Sequence, residues 1–276
     1  MSLETITPQI AEQMLAHNTK NRSVQKTTVI EYARLITAGL WQLNGDAIRF
    51  AADGTLLDGQ HRLAACVLAN LPLRTWVARG FPIEAQATMD QQRKRTAGNV
   101  LAMNDIPQGN KLAAVVRMIH RWDSGERSVY GFGGTRTGGI SAAEILVVAQ
   151  TEEIYSVAMK YAGNSDLARV VTPRVSGALF ILATRIDPQE TDKFFSQIVS
   201  GAGLSEGHPV LTLRRHWLRN SDRQQRAGFE LMAGVRGWNA YAEGRNLSSI
   251  VWRLPVIPEL SKVKARPQGS GESSGL

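Results

Sequence analysis

The sequence predicts an α+β fold, in which a small α/β domain at residues 1–103 is followed by an all-helical domain at 104–257 and a disordered tail at 258–276. Three observations support this division. Strand-like and helix-like apolar patterns alternate between residues 47 and 78, whereas helical spacing alone continues from about Asp105. The last residues, KVKARPQGSGESSGL, contain too few apolar side chains to form a core. A hydrophobic content of 43% and a charged content of 20% are typical of a globular chain.

Two short helices are predicted at the N terminus. Thr7 is a typical helix N-cap and Pro8 a typical first helical residue, and an apolar helical stripe follows them. Ser23 is the predicted start of a second helix, which Gly39 ends. The apolar stripe of this helix consists of Val29, Tyr32, Ala33 and Ile36.

A β-hairpin and a helix form the centre of the predicted α/β domain. Residues 47–57 have strand character on both sides of an Asp-Gly dipeptide at 53–54, which is typical of tight hairpin turns. A glycine turn at 58–60 leads directly into a predicted helix at 61–69. Residues 74–78 form a further predicted strand, so the order strand, turn, helix, strand indicates an α/β unit.

Capping signals and apolar spacing predict several helices in the second domain. Ser141 and Glu144 form a capping box at the start of one of them. The predicted helices cover residues 112–122, 145–149, 175–183, 191–200, 211–219 and 224–243. Residues 124–139 are rich in glycine and predict a long loop, which can be functional or merely mobile.

The composition excludes several classes of protein. The chain has no run of about eighteen apolar residues, and its N terminus lacks the basic and apolar regions of a signal peptide. We therefore expect a soluble, cytoplasmic protein without a membrane partner. Cys66 is the only cysteine, and the five histidines are not at ligand spacing, so we predict no metal site.

The charge favours a polyanionic partner. The net charge of +8 and the isoelectric point near 9.9 are typical of proteins that bind nucleic acid. Of the 32 basic residues, eight are lysine and the others arginine, which suits bidentate phosphate contacts. A GC-rich genome would produce the same preference for arginine.

The residues from Asp58 to Arg62 combine a strand end, a glycine turn and a helix start. At such a helix start, backbone N–H groups without partners inside the helix form an anion-binding site. Arg62 offers a charged fork for phosphate, and His61 can donate a hydrogen bond or act as an acid. Asp58 can cap the helix, receive a proton or help to hold a divalent cation through water.

In the alternative interpretation Asp58 only caps the helix, Gly59 only forms the turn, and His61 and Arg62 are surface residues. We favour the site, because five polar or turn residues precede an apolar helix.

The run LDGQHRLAA at residues 57–65, preceded by the stretch at 41–50, resembles the ParB/sulfiredoxin superfamily, and in particular the ParB-like proteins of phages and mobile elements. The resemblance covers roughly residues 5–103. It implies a small α/β fold that binds a nucleotide: CTP in partition proteins, ATP in sulfiredoxin and a phosphoryl donor in free-serine kinases. It assigns phosphate binding to Gly59, Gln60, His61 and Arg62.

Two departures from the family pattern narrow the implied chemistry. Gln60 stands where sulfiredoxin has its reactive cysteine, and Cys66 lies in the apolar run of the helix, so sulfinic-acid repair is not expected. Gln60 and His61 also replace the first two residues of the Glu-Arg-Arg of partition proteins, which argues against metal-assisted CTP hydrolysis. The Asp-Gly-x-His-Arg form is closer to the kinase branch, where the aspartate and the histidine lie by the transferred phosphoryl group. Asp58 and His61 are therefore the predicted catalytic residues.

Two further segments are predicted to contact the nucleotide. Arg93, Arg95 and Thr96 fall where partition proteins have a second phosphate-contacting segment. Asn21 and Arg22 occupy the place of an early arginine motif. The alternatives are a solvated charge run between domains for the first segment and a loop with a helix cap for the second.

A basic ridge is the predicted DNA contact. Arg215, Arg219, Arg223 and Arg226 recur at helical spacing and fall on one narrow stripe if a single helix spans them. Such a ridge can contact DNA phosphates. The alternative is a solvated helix face, and the Asn-Ser-Asp run at 220–222 can break the helix. We expect Trp217, Trp238 and Trp252 in the core rather than in base stacking.

These inferences lead to one prediction and two alternatives. We predict a nucleotide-binding, ParB-like phage or prophage protein that acts on or beside DNA and uses ATP or CTP with Mg²⁺. Its reaction would be nucleotide hydrolysis or phosphoryl transfer to a hydroxyl acceptor such as a modified DNA base.

One alternative is a non-catalytic DNA-binding or regulatory protein with a degenerate pocket. The other is a ParB-like nuclease, against which the scattered carboxylates argue. The glycine-rich loop is a candidate lid over the pocket. Catalysis and oligomeric state stay open.

Overall fold

The computed structural model describes residues 1–19, 21, 23–89, 95–132, 139–151, 154, 160–220, 227–251 and 255–264. Over these ranges the fold is mixed α+β, with a small sheet near the N terminus followed by a helical region, as the sequence predicts. The chain divides into two compact units, Met1–Ala97 with Arg136–Ile145, and Gly98–Thr135 with Leu146–Leu276. No helix in the described ranges is long and apolar enough to cross a membrane.

The first unit contains a four-stranded sheet. Its strands are β1 (Ser2–Ile6), β2 (Ala47–Ala51), β3 (Leu56–Asp58) and β4 (Leu73–Phe81). They lie in the order β1-β4-β2-β3. β4 pairs antiparallel with β1 and parallel with β2, and β2 pairs antiparallel with β3 in the predicted hairpin. Gly54 has a φ of 89°, the left-handed conformation that the predicted Asp-Gly turn requires.

The N terminus corrects the prediction that two helices begin the protein. Strand β1 comes first, and it pairs with β4 in the register Ile6 opposite Leu73. The buried Ile6 is the main apolar contribution of this short strand, so its sequence alone carries little strand signal. An ion pair between Glu4 and Arg79, 2.6 Å apart, also joins β1 to β4. Pairing with a partner distant in sequence therefore determines this element.

Three helices cover the sheet of the first unit: α1 (Pro8–Ala16), α2 (Lys26–Thr37) and α3 (Gln60–Ala69). Thr7 caps α1 as predicted, because its Oγ1 accepts a hydrogen bond from the Ile10 N–H at 3.3 Å. α2 begins at Lys26 rather than at Ser23, which corrects the predicted start. The core between these helices and the sheet consists of Ile6, Ala11, Val29, Ala33, Ile36, Ile48, Phe50, Leu56, Leu63, Cys66, Leu73 and Val77, with Met14 and Ala65.

After β4, the main elements in the described ranges are helices. Short 3-10 helices occupy Ile83–Thr88 and Val129–Phe132. The α-helices are α4 (Ala97–Met103), α5 (Gly109–Asp123), α6 (Ala142–Ala149), α7 (Ser165–Ala168), α8 (Pro173–Thr184), α9 (Pro188–Ser200), α10 (Pro209–Asn220) and α11 (Ala227–Ala242). The second unit begins before the predicted boundary at 103, because Gly109 at the start of α5 packs closely against Gly98 and Leu101 of α4.

The helices of the second unit pack closely where glycines face large side chains. Gly234 and Gly237 of α11 lie against Trp217 and Leu213 of α10, respectively. Because residues later in α11 face residues earlier in α10, the two helices run antiparallel. Trp217 and Trp238 are buried, which confirms their predicted core positions, while Trp252 lies outside the described residues.

The predicted capping box is present. The Ser141 N–H donates to Glu144 Oε2 at 2.8 Å, and the Glu144 N–H donates to Ser141 Oγ at 3.2 Å. Arg34 on α2 also donates to Glu144, and to the Gly139 carbonyl at 2.9 Å. These contacts attach the capping box to the first unit, whereas the sequence assigned it to the helical domain. Part of the predicted glycine-rich loop, residues 133–138, lies outside the described residues, and the described part contains the 3-10 helix Val129–Phe132.

The C-terminal segment corrects the prediction of a disordered tail from residue 258. Asn239 donates to the Glu259 carbonyl at 2.7 Å and accepts from the Ser261 N–H at 2.8 Å. Trp238 donates its indole N–H to the Ser261 carbonyl, and Ile257 is buried. Hydrogen bonds to α11 and one apolar anchor thus fix a segment whose composition is too polar to predict order. The remaining tail, residues 265–276, lies outside the described residues.

Candidate functional site

The predicted strand, turn and helix meet at Gly59. Asp58 ends β3, Gly59 has a φ of 107° and α3 starts at Gln60. A Cβ at Gly59 would lie 3.0 Å from Ile48 Cγ1 and 3.2 Å from Ile48 Cα, so both backbone conformation and space require glycine here. Glycine also has no side chain to cap the helix. The first-turn N–H groups of α3 therefore face the turn with the positive end of the helix dipole.

The Arg62 side chain is buried rather than open to solvent. Arg62 is 8% exposed, and its Nη2 donates to Asp58 Oδ2 and to the Ala47 carbonyl, both at 2.9 Å. This corrects the expectation of a solvent-facing fork, as well as the alternative of a surface residue. Arg62 Nη1 is also buried and has no hydrogen-bond partner among the described residues. Nη2 thus connects α3 to Asp58 and to the Ala47 carbonyl of β2, whereas Nη1 can still donate a hydrogen bond.

Arg49 is a member of the site that the sequence reasoning missed. It lies opposite Asp58 in the β2–β3 register, and its Nη1 donates to Asp58 Oδ2 at 2.6 Å. Two guanidinium groups therefore share one carboxylate oxygen, which leaves a net charge of +1 on the three side chains. The hairpin register was the signal available in the sequence, because the predicted turn brings these two residues close together.

His61 contacts a neighbouring helix. Its Nε2 accepts a hydrogen bond from the backbone N–H of Gln25, the N-cap residue of α2, at 3.0 Å. The lone pair on Nε2 is therefore occupied, and the imidazole is half-buried between the starts of α2 and α3. A neutral imidazole in this arrangement has its proton on Nδ1.

A chain of four side-chain amides surrounds the turn. Gln86 donates to Asn21, Asn21 donates to Asn18, and Asn18 donates to the buried Gln60, over distances of 2.6–2.9 Å. Asn21 and Gln86 also donate to the carbonyls of Leu56 and Leu57, respectively.

These amides close the outer edge of β3 and fix the orientation of Gln60. Asn21 thus has a structural role in the loop, as one of the two interpretations proposed. The members come from three separate parts of the sequence, so no single local pattern predicts them.

The outlying predicted contacts are only partly described. Arg22 and Arg93 lie outside the described residues. Arg95 and Thr96 are exposed just before α4. The structure therefore brings together Asp58, Gly59, Gln60, His61 and Arg62, with Arg49 added.

The described part of the predicted basic ridge consists of Arg215 and Arg219, which both lie on α10. Arg215 is exposed and pairs with Glu206 at 2.7 Å, and Arg219 is exposed. Arg223 and Arg226 lie outside the described residues.

Cys66 is enclosed in the core of the first unit. Burial raises the pKa of its thiol, and the Sγ donates to the Leu71 carbonyl at 3.1 Å. A thiol with a raised pKa forms less of the nucleophilic thiolate at neutral pH. Among the described residues, no group of three or more histidine, cysteine, aspartate or glutamate side chains is arranged to hold a metal ion.

Comparison with known proteins adds no relative. The chain matches no family model, and neither a curated protein nor a solved structure resembles it significantly.

Proposed function

We propose that the first unit binds the phosphate groups of a nucleoside triphosphate, ATP or CTP, at the start of α3. The observation that carries the proposal is the buried Arg62 guanidinium in the first turn of this helix, with a donor nitrogen that has no partner. A buried charged donor without a partner costs free energy. An anion that reaches Arg62 would remove this cost.

The electrostatics of the turn support an anion. Arg49 and Arg62 outnumber the single carboxylate of Asp58, and the positive end of the α3 dipole adds to their charge. The left-handed Gly59 packs directly against Ile48 of β2, and this close contact fixes where the first turn of α3 begins.

The resemblance of residues 57–65 to the ParB/sulfiredoxin superfamily supports a nucleotide rather than free phosphate. The net charge of +8 supports action on or beside DNA. The proposal therefore describes a cytoplasmic, ParB-like protein of a phage or prophage.

The chemistry assigned to this chain is binding and orientation of the triphosphate. The helix N–H groups and Arg62 would contact phosphate oxygens, and Mg²⁺ would enter on the triphosphate and keep several of its waters. Asp58 accepts from two arginines and His61 Nε2 accepts from Gln25. Phosphoryl transfer or hydrolysis would then require movement of Asp58 away from the arginines, or release of His61 Nε2 from Gln25, so that one of them receives the proton of the attacking hydroxyl or water.

The second candidate is a nucleotide-responsive regulatory protein without catalysis. The observation that favours it is the same pair of occupied acceptors, on Asp58 and on His61 Nε2. Turnover separates the two candidates: release of inorganic phosphate, or labelling of a hydroxyl acceptor such as a modified DNA base, supports phosphoryl chemistry. Binding without turnover supports the regulatory role.

Isothermal titration calorimetry with ATP and CTP, with and without Mg²⁺, tests the binding site. Arg62→Lys keeps the charge but removes the second guanidinium nitrogen, and we expect affinity to fall about tenfold. Arg74→Lys is the matched control, because Arg74 is an exposed arginine on β4 of the same unit. Equal affinity of all three proteins would contradict the proposed site, and so would the absence of binding to the native chain.

DNA binding is tested separately by fluorescence anisotropy as a function of salt. Arg219 is exposed at the end of α10, whereas Arg215 is paired with Glu206. If α10 contacts DNA, Arg219→Ala lowers the slope of log affinity against log salt by about one. An unchanged slope would remove α10 from the proposed DNA contact.

A further inference from the structure

We infer that Asp58 is an internal counter-ion that occupies the anion site, and that a polyphosphate binds by displacing the Asp58 carboxylate from Arg49. This inference rests on the proposed function. It gives Arg49 a ligand-binding role, and it replaces the catalytic role that the sequence predicts for Asp58 with an inhibitory one.

The geometry of the three side chains is that of an occupied anion site. A single oxygen, Asp58 Oδ2, lies 2.6 Å from Arg49 Nη1 and 2.9 Å from Arg62 Nη2. Two guanidinium groups that converge on one oxygen also match a phosphate oxygen, because both anions accept short, charge-assisted hydrogen bonds. The carboxylate therefore competes with a phosphate for the same donors.

The two arginines differ in how firmly they are held. The Arg62 side chain is 10% exposed and has a second bond to the Ala47 carbonyl. The Arg49 side chain is 28% exposed, and within the described ranges its only hydrogen bond is the one to Asp58. Arg49 is thus the cation that can turn toward a ligand while Arg62 keeps its place.

Asp58 does not accept hydrogen bonds from all the donors of the site, because Arg62 Nη1 has no partner among the described residues. This nitrogen is buried and lacks a hydrogen-bond partner, although the Asp58 carboxylate is bound to the neighbouring Nη2. A polyphosphate offers more acceptor oxygens than a carboxylate and can reach both nitrogens. Exchange of one anion for the other therefore satisfies a donor that Asp58 leaves without a partner.

A second ion pair in the same sheet provides a matched control. Arg79 on β4 pairs with Glu4 at 2.6 Å, so it is also a strand arginine bound to a carboxylate. The pair is more exposed than the Arg49–Asp58 pair and lies at the β1–β4 edge rather than at the α3 turn. Changes to it remove the same charges from the same unit without changing the turn.

The test measures binding of sodium tripolyphosphate by calorimetry, with and without Mg²⁺, for the full chain and two carboxylate variants. Asp58→Asn removes the competing charge and keeps an oxygen for Arg62, and we expect about tenfold tighter binding or more. Glu4→Gln is expected to bind like the native protein. A variant that is merely destabilised would lose affinity, so a gain separates competition from a purely structural role.

Each outcome decides the inference. If native protein binds tripolyphosphate and folded Asp58→Asn binds equally or more weakly, the counter-ion role is overturned while the proposed function stands. Weaker binding of Asp58→Asn only in the presence of Mg²⁺ would instead indicate a cation-holding aspartate, which also overturns the inference. If neither protein binds, the proposed function and the inference both fail.

A second pair of variants covers the case in which Asp58→Asn does not fold, as judged by circular dichroism. Arg49→Ala is expected to weaken tripolyphosphate binding about tenfold, whereas Arg79→Ala is expected to leave it unchanged. Native affinity in Arg49→Ala would overturn the inference, because Arg49 would then contribute nothing to the ligand.

Discussion

Two arginines that the sequence treats alike have different environments. Arg62, at the start of α3, is buried and bound to both Asp58 and a backbone carbonyl. Arg215, on α10, is exposed and pairs with the exposed Glu206. Both were predicted to contact phosphate groups: Arg62 because it follows a glycine turn at a helix start, and Arg215 because it belongs to a series of arginines at helical spacing. In the first unit the surrounding fold buries the arginine in a hydrogen-bonded cluster, whereas in the second unit the arginine remains a surface charge.

Burial, rather than residue type, determines how much an arginine ion pair contributes to stability. A buried ion pair in a low-dielectric environment depends on both partners, because a single remaining charge is costly. An exposed pair is screened by water and salt and contributes little. The same contrast explains why an anion site is proposed for the α3 turn and only a weak, salt-dependent contact for α10.

The largest expected effect is on stability at the buried arginine. Arg62→Leu leaves Asp58 with one partner and the Ala47 carbonyl without its donor, and we expect unfolding free energy to fall by about 3–5 kcal/mol. Arg215→Leu is the control and should change it by no more than about 1 kcal/mol. Urea denaturation followed by circular dichroism measures both. Similar losses in the two variants would contradict the comparison.

A smaller effect is expected at the glycine of the turn. Gly59→Ala forces a side chain into the left-handed region and within 3.0 Å of Ile48, and we expect a cost of about 2–3 kcal/mol. Gly54→Ala in the hairpin is the control, since its added Cβ meets nothing within 4 Å and its cost should be about 1 kcal/mol. Thermal denaturation ranks the two variants. If Gly54→Ala is the more destabilised, the turn is less constrained than its geometry indicates.

The smallest expected effect is a pH dependence in the second unit. Burial lowers the pKa of His216 on α10, so the folded chain binds its proton less readily than the unfolded chain does. The lowered pKa has no effect on the free energy of unfolding at high pH, where the imidazole is neutral in both states. As the pH falls below the ordinary histidine pKa of about 6.5, the unfolded chain binds the proton more readily and the free energy of unfolding decreases. His216→Gln removes this contribution, so its melting temperature should fall less than that of the native protein between pH 7.5 and 5.5. A parallel decline in both proteins would show that His216 does not contribute.

The sequence was most informative where the determining signals are local. The Asp-Gly hairpin turn, the Thr7 cap and the capping box at Ser141 each depend on residues within a few positions of one another, and all three are present. The candidate turn at 58–62 also follows from its local order of strand, glycine and helix.

Features that depend on distant partners were missed. Strand β1 forms through its pairing with β4, and the 255–264 segment is held by side chains of α11. Polar residues such as Gln60 and Arg62 suggest a surface in the sequence, but both are buried and form hydrogen bonds with Asn18, Asp58 and Ala47. Arg49 is the intermediate case, because the hairpin register alone places it opposite Asp58.

The most direct test of the α3 site is hydrogen exchange measured by mass spectrometry, with and without Mg²⁺ and either CTP or ATP. The account predicts that nucleotide slows exchange of backbone N–H groups at residues 60–63, in the first turn of α3, and leaves residues 210–219 of α10 unchanged. Saturating nucleotide that produces no protection at 60–63, or protects only the helical unit, would contradict the assignment of the phosphate site to the α3 turn.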